Sequence, residues 1–300
     1  MKILRRILLG VALLITISIA ALAVTISYTG SCRDAEPTAV DNGMRAVVAL
    51  CYGGPEVLTV ETIERPEPGD DEVLVRIRAA SVNPLDWHYM RGSPYVLRLQ
   101  AGIGRPDDIR MGVDFAGIVE TVGKDVTRFQ PGDAVFGRAN GAFAEYITVR
   151  ESRGVARKPD SMTFEAAAGL PIAATTALQA VRDAGKVGPG DQVLVNGASG
   201  GVGTYAVQIA KSLGATVTGV SSARNHELVL GLGADRMIDY KTTSYADGDT
   251  KYDVIIDNVG NLSIGDNRKV LADGGRYVAV GGKKGNWIAP FLRPIQASMA

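Results

Sequence analysis

The sequence predicts an α/β protein: one hydrophobic helix, then a compact β-barrel-like domain of short strands, then a doubly wound parallel sheet. Three observations point there. Val193-Leu194-Val195-Asn196-Gly197-Ala198-Ser199-Gly200-Gly201-Val202-Gly203 runs from an apolar strand into a glycine loop, and a helix beginning near Gly203 follows with Val207, Ile209, Ala210 and Leu213. Residues 44–165 break into short alternating runs punctuated by Gly and Pro. Ile7 to Tyr28 contains no charge at all. A composition of 46% hydrophobic and 21% charged residues over 300 positions describes a folded chain long enough for two domains.

Lys2, Arg5 and Arg6 precede the uncharged stretch, whose 22 residues would span roughly 33 Å as a helix, enough to cross a bilayer. A buried core helix is disfavoured because the stretch has no polar face. An uncleaved anchor within residues 1–30, contacting the membrane through 7–28, is preferred over two other readings. Ala21-Leu22-Ala23 resembles a signal cleavage site, and Thr29-Gly30-Ser31-Cys32 is a poor lipidation signal with Thr where an aliphatic residue is expected. The basic flank would keep the N-terminus in the cytoplasm and send the body across the membrane, whereas a cofactor pool inside the cell would require the body there, so the side of the membrane is left open. Residues 31–43, with Pro37, Asn42 and Gly43, read as a polar linker.

Charges balance overall, 32 basic against 32 acidic. Three of the basic residues sit in the first thirty positions without an acidic partner, so the remainder is slightly acidic and has no footprint for nucleic acid. Cys32 and Cys51 are the only cysteines and His88 and His226 the only histidines, so neither a structural zinc site nor a disulfide framework is expected.

In the first domain, strands are expected at Met44–Leu50, around Val73, Val75 and Ile77, at Gly117–Val122, Asp133–Phe136 and Ala142–Val149, with turns such as Pro68-Gly69-Asp70 and Pro131-Gly132-Asp133. In the second, helices Phe164–Leu170 and Thr175–Ala184 bracket Pro171 and lead to the glycine-loop strand. A strand, a glycine turn and a helix N-terminus together make a dinucleotide pyrophosphate site over Ala198, Ser199, Gly200, Gly201, Val202 and Gly203. The next strand, Thr216–Val220, ends at Ser221-Ser222-Ala223-Arg224-Asn225, without the acid that binds both ribose hydroxyls in NAD sites. Ser221, Ser222 and Arg224 suit a 2′-phosphate instead, which favours NADPH over NADH. Strands at Val254–Asn258 and Tyr277–Val280 should bring Asn258, Val280 and Gly281 beside the cofactor, because open α/β sheets bind ligands at strand C-termini.

Ala80-Ser81-Val82-Asn83-Pro84-Leu85-Asp86, Gly112-Val113-Asp114-Phe115-Ala116-Gly117 and Pro131-Gly132-Asp133-Ala134-Val135-Phe136-Gly137 occur in the order seen in medium-chain dehydrogenase/reductases. Over Met44–Gly282 the chain resembles the zinc-independent quinone oxidoreductase branch of that family. The resemblance implies a GroES-like catalytic domain over 44–165 and a Rossmann NADP-binding domain over 166–300. Family members continue past the equivalent of Ala300, so the Rossmann domain is expected to be incomplete. Zinc-using relatives carry a cysteine in the Ser81-Val82-Asn83 segment and Gly-His-Glu in place of Gly112-Val113-Asp114, so the resemblance implies no zinc.

Without a metal, hydride transfer to a quinone or an α,β-unsaturated carbonyl is easier than to an ordinary ketone, because conjugation spreads the developing charge and hydrogen-bond donors supply the rest. Asn83 either orients an acceptor oxygen or the nicotinamide ribose, or caps the turn before Pro84. His88 either donates a proton after the hydride arrives or is a hydrogen-bonded structural group. Tyr89 lines the pocket, and Trp87 belongs to core or pocket wall. By resemblance Thr176, with Thr175 next to it, approaches the nicotinamide ribose, and Tyr240 stacks on or bonds the adenosine phosphate region. The resulting expectation is a membrane-anchored NADPH-dependent reductase of small quinones, enones or carbonyls, with a homodimer left open. A zinc-independent alcohol or aldehyde dehydrogenase and a non-catalytic NADPH-binding sensor or scaffold are the alternatives.

Overall fold

The computed structural model describes residues 2–32, 42–282 and Gly285; most of the linker expected over 31–43, and the chain beyond Gly282 apart from Gly285, lie outside the described residues. The chain divides into two compact units, Met1–Asp160 and Ser161–Ala300.

The first unit opens with helix α1, Lys2–Ser27. Leu9–Ser27 within it has a mean hydropathy of 2.6 and is almost entirely uncovered by the rest of the protein. Thr16 and Thr25 each turn their hydroxyls back to the carbonyl four residues earlier, at Ala12 and Ala21, so these polar groups are satisfied within the helix. Strand β1 (Gly43–Ala49) pairs antiparallel with β2 (Leu58–Glu64) in a two-stranded ribbon. Next come β3 (Glu72–Ser81), α2 (Pro84–Arg91), α3 (Arg98–Ala101), β4 (Asp114–Val122), β5 (Ala134–Arg138), β6 (Tyr146–Arg150) and β7 (Val155–Arg157). The five strands from β3 to β7 form an antiparallel sheet in the order β6-β3-β4-β5-β7. Its core packs Val73, Val75, Phe115, Val119, Val135 and Ile147, each essentially inaccessible to water. The strand expected from Ala142 begins only at Tyr146, because the preceding residues pair with β1 instead: Val47 N donates to Phe143 O and Glu145 N to Arg45 O.

The two cysteines depart from the sequence expectation: Cys32 and Cys51 form a disulfide, with Cα atoms 4.4 Å apart. The cause is local. Gly30 N donates to Gly104 O, and Arg98 grips residues 26–29, which sets Cys32 beside the turn after β1.

The second unit begins with α4 (Phe164–Ala168) and α5 (Pro171–Leu178). Pro171 is the first residue of α5 rather than a spacer between helices, since that position needs no N–H donor. The chain continues through a wider π turn, Gln179–Ala184, into β8 (Gln192–Asn196), α6 (Gly201–Ser212), β9 (Thr216–Ser221), α7 (His226–Gly231), β10 (Arg236–Asp239), β11 (Tyr252–Asp257), α8 (Ile264–Val270) and β12 (Leu271–Ala279). The five strands are parallel in the order β10-β9-β8-β11-β12. Strand order reverses between β8 and β11, and such switch points open a crevice at the strand C-termini where ligands bind. Val193, Val195, Val207, Val217, Val254 and Ile256 fill one face of the sheet, and the strands read as unbroken apolar runs because both faces are covered.

Candidate active site

At the C-terminal end of β8 the glycine loop is built as the sequence pattern requires. Gly197 takes φ +77°, which favours glycine, and its N–H and that of Ala198 both donate to Val220 O at the end of β9. A Cβ at Gly203 would lie 2.1 Å from Gly197 O, so only glycine lets α6 start this close to the loop. Gly200 and Gly201, by contrast, are exposed, and a Cβ there would meet its nearest neighbours only at ordinary contact distance, 3.4 and 3.8 Å. The helix begins at Gly201, two residues earlier than expected, so the N–H groups of its first turn rise directly from this uncovered glycine pair. This cradle fits a dinucleotide pyrophosphate.

The surrounding residues converge on the same end of the sheet. Ser199 Oγ accepts from Asn225 Nδ2 at 3.0 Å, tying the loop to the segment after β9. Ser221 and Ser222 are buried there, Arg224 is exposed, and Tyr240, also exposed, donates its backbone N–H to Ser221 O. Ala173 on α5 lies 3.8 Å from where a Cβ of Gly201 would be, and Thr176, three residues on, shares that helix face while Thr175 is exposed. Asn258 donates through Nδ2 to Asn196 O at 2.9 Å, and its Oδ1 is buried without a hydrogen-bond partner. Val280 and Gly281 both donate to Asp257 O, and a Cβ on Gly281 would strike Asn258 O at 2.0 Å. An unpartnered acceptor on Asn258 is what a ligand bearing an amide donor requires.

Sequence reasoning missed the network that holds this end of the sheet rigid. Asp257, fully buried, accepts from Asn196 Nδ2, Val259 N and Gly260 N through Oδ1 and from Tyr277 Oη through Oδ2, at 2.7–3.0 Å. The signal was present: a polar residue ends each of two otherwise apolar neighbouring strands, Asn196 on β8 and Asp257 on β11.

In the first unit, the segment after β3 carries a second polar constellation. Asn83 is buried and its amide donates to Asp114 Oδ2 at 3.0 Å and to Ser81 Oγ at 3.3 Å, while Ser81 Oγ donates to Asp114 Oδ2 at 3.4 Å. The three side chains thus bond to one another. Asn83 also caps α2, its N–H donating to Asp86 Oδ2 at 2.6 Å.

Next to this triad is a cavity of about 240 Å³, lined in part by Asp86, Tyr89, Gln100, Asp108, Arg110 and Asn140. Tyr89 therefore stands on the cavity wall as expected, whereas Asn83 and His88 do not. His88 Nδ1 donates to Ser93 O, and its ring packs edge-on against Trp87. Asp86 Oδ1 is buried with no hydrogen-bond partner, and burial pushes this carboxyl up to about 6, against the N–H of Asn83 and with a smaller push from Asp114. Asp86 thus brings an exchangeable proton to the cavity near neutral pH. Its place three residues after an Asn N-cap concealed it as an ordinary capping residue. Arg110 and Asp108, two residues apart on the cavity wall, form a bidentate pair at 2.8 and 2.9 Å, which lowers the Asp108 carboxyl and raises the guanidinium.

Residues 69–160 match the alcohol dehydrogenase GroES-like domain family and residues 201–297 the zinc-binding dehydrogenase family. The chloroplastic quinone-oxidoreductase homolog of Spinacia oleracea is 37% identical over 249 residues, covering 78% of this chain and 74% of that protein. The chain belongs to the medium-chain dehydrogenase/reductase family, in its quinone oxidoreductase-like branch. The quinone oxidoreductase of Rattus norvegicus is 36% identical over 79% of the chain and 73% of its own length. Among solved structures, the quinone oxidoreductase of Coxiella burnetii superposes with a TM-score of 0.71 at 33% identity, covering 78% of this chain and 74% of that one. The CurK enoyl reductase superposes with a TM-score of 0.73 at 27% identity, covering 80% and 76%. The antiparallel unit is accordingly GroES-like and the parallel sheet Rossmann-like, and the family's cofactor is a nicotinamide dinucleotide.

Proposed function

We propose that this chain is a zinc-independent, NADPH-dependent reductase of quinones or α,β-unsaturated carbonyls, held to a membrane by α1. The family gives the oxidoreductase chemistry. The observation that supports the metal-free reading is the Ser81–Asn83–Asp114 triad, a set without cysteine or histidine whose members bond to one another through Ser81 Oγ, Asn83 Nδ2 and Asp114 Oδ2. Among the described residues no three His, Cys, Asp or Glu side chains converge on a common point.

The glycine loop and the first turn of α6 would hold the pyrophosphate, Ser221, Ser222 and Arg224 the 2′-phosphate, Tyr240 the adenosine end, and Thr176 the nicotinamide ribose. Asn258 Oδ1, beside Val280 and Gly281, would accept from the carboxamide. When bound, the nicotinamide supplies a hydride, so NADPH, a proton and a quinone become NADP⁺ and a hydroquinone; with an enone, the hydride goes to the β-carbon and the proton to the α-carbon. In the GroES-like unit, Tyr89 orients the acceptor oxygen with its hydroxyl, and Asn83 fixes Asp86 at the head of α2 through its N–H. His88, with Nδ1–H committed to Ser93 O, braces the end of α2. We also retain the division into an anchor (1–30), a linker (31–43), a catalytic domain (44–165) and a cofactor domain (166–300).

The test is oxidation of NADPH and NADH by the full chain against quinone, enone, alcohol and aldehyde panels. Turnover of quinones or enones with NADPH is the expected result. Turnover confined to alcohols and aldehydes, or tight NADPH binding with no turnover on any panel, would replace this function with a dehydrogenase or a sensor.

A further inference from the structure

The C-terminal end of α1 is joined to a segment that lines the cavity beside Asp86 and Tyr89. Arg98 is the joint: it is only 3% exposed, and its Nη1 donates to Tyr28 O at 2.7 Å, Ser27 O at 3.2 Å and Ile26 O at 3.3 Å. These are carbonyls that a helix leaves unpaired at its C-terminus, where a cation is also favoured by the helix dipole. The same guanidinium donates through Nε to Gly92 O at the end of α2 and stacks over the rings of Tyr52 and Tyr95 at 4.5 and 4.7 Å. Gly30 N bonds Gly104 O, Tyr28 packs on Gly104, and the Cys32–Cys51 disulfide closes the joint two residues from Ala49 of the cavity wall. The end of α1 and the segment 95–107 are therefore tied into one piece, and that segment supplies Gln100, Ala101, Pro106 and Asp107 to the cavity.

Three large apolar side chains on the outer side of this piece are uncovered, with Gln100, Arg105 and Asp107 exposed in the same segment. Val96 is 43% exposed, Leu99 51% and Ile103 50%, and Tyr28, just past the end of α1, is 62% exposed; Leu9–Ser27 of that helix is almost entirely uncovered. An apolar surface continuous with a spanning-length helix, with a tyrosine at the junction, has the composition of a segment seated at the boundary between headgroups and acyl chains. Resting on the anchored reading above, we propose that Val96, Leu99 and Ile103 dip into the bilayer beside α1, and that the cavity takes its acceptor from the membrane: a lipophilic quinone with a long apolar tail.

The test uses the full chain in phosphatidylcholine vesicles with NADPH, comparing a short-chain water-soluble quinone with a long-chain quinone dissolved in the same vesicles. Neither Leu99 nor Ile103 lines the cavity. The double variant Leu99→Asp, Ile103→Asp should leave turnover of the soluble quinone within about twofold while kcat/KM for the bilayer-dissolved quinone falls about tenfold or more. Equal losses on both quinones, or no loss on either, would overturn the proposal. A second readout is independent of activity. An indole placed by Leu99→Trp, read against the parent chain, should be quenched by lipids brominated on the acyl chain. Absence of quenching would overturn docking and leave a second copy of the chain as the cover for this surface. Quenching without reduction of either quinone would uphold docking and overturn the reductase reading, and with it the lipophilic acceptor.

Discussion

Asp86 makes the pH dependence of stability a direct probe of the cavity. Its carboxyl rises from 3.8 to about 6 because burial disfavours the charged form, and the single N–H bond from Asn83 does not offset that cost. The folded state therefore binds a proton more tightly than the unfolded chain. Below about pH 4 both states are protonated and no penalty exists; between about 4 and 6 the penalty grows; above 6 it is fully present. A rise from 3.8 to about 6 corresponds to about 3 kcal/mol. The variant Asp86→Asn keeps the acceptor for Asn83 N but cannot titrate, so wild type should lose about 3 kcal/mol relative to the variant between pH 4 and 7. Urea unfolding followed by the fluorescence of Trp87, on the same helix, in a Trp287→Phe background reads this unit alone. Parallel pH profiles for the two proteins would show that Asp86 is an ordinary solvated carboxylate and remove it as a proton carrier.

Other perturbations give equally direct outcomes. Gly203→Ala places a Cβ 2.1 Å from Gly197 O and should weaken NADPH binding by about 100-fold or abolish it, as measured by cofactor fluorescence; unchanged binding would contradict the cradle. Arg224→Ala should reduce the NADPH-over-NADH preference in kcat/KM by about 10- to 100-fold, the value of a charge-assisted phosphate contact, and an unchanged preference would refute the 2′-phosphate assignment. Arg98→Met leaves the carbonyls of Ile26, Ser27, Tyr28 and Gly92 without their donor and should destabilise the first unit by about 3 kcal/mol in urea unfolding. Peptide mapping without reductant should recover Cys32 linked to Cys51, and free thiols at both positions would contradict the joint at the end of α1.

Local patterns carried most of the fold. The strand–glycine–helix unit from Val193 to Ser212 was legible because a buried parallel strand reads as an apolar run and the following loop needs glycine at Gly197 and Gly203 for backbone reasons alone. Pairings between distant segments were not. Cys32 and Cys51 gave no sign of a partner, because what joins them is Arg98, a residue with the composition of a surface cation. Ala142–Glu145 looked like the start of β6, yet the hydrogen bonds of Phe143 and Glu145 go to β1. Asn83 was recognised as polar and well placed, but sequence alone could not show that its amide is spent on Asp114 and Ser81 rather than facing the cavity.

The proposed function depends on metal-free hydride transfer from NADPH to a conjugated acceptor. Its most direct test is to supply NADPH deuterated on the transferring carbon to full chain freed of metal ions by chelation and verified by elemental analysis, with an α,β-unsaturated ketone as acceptor. The product should carry deuterium on the β-carbon, with one NADP⁺ formed per product molecule and a rate unchanged by added zinc. Product without deuterium, or a reaction that appears only when zinc is restored, would contradict it.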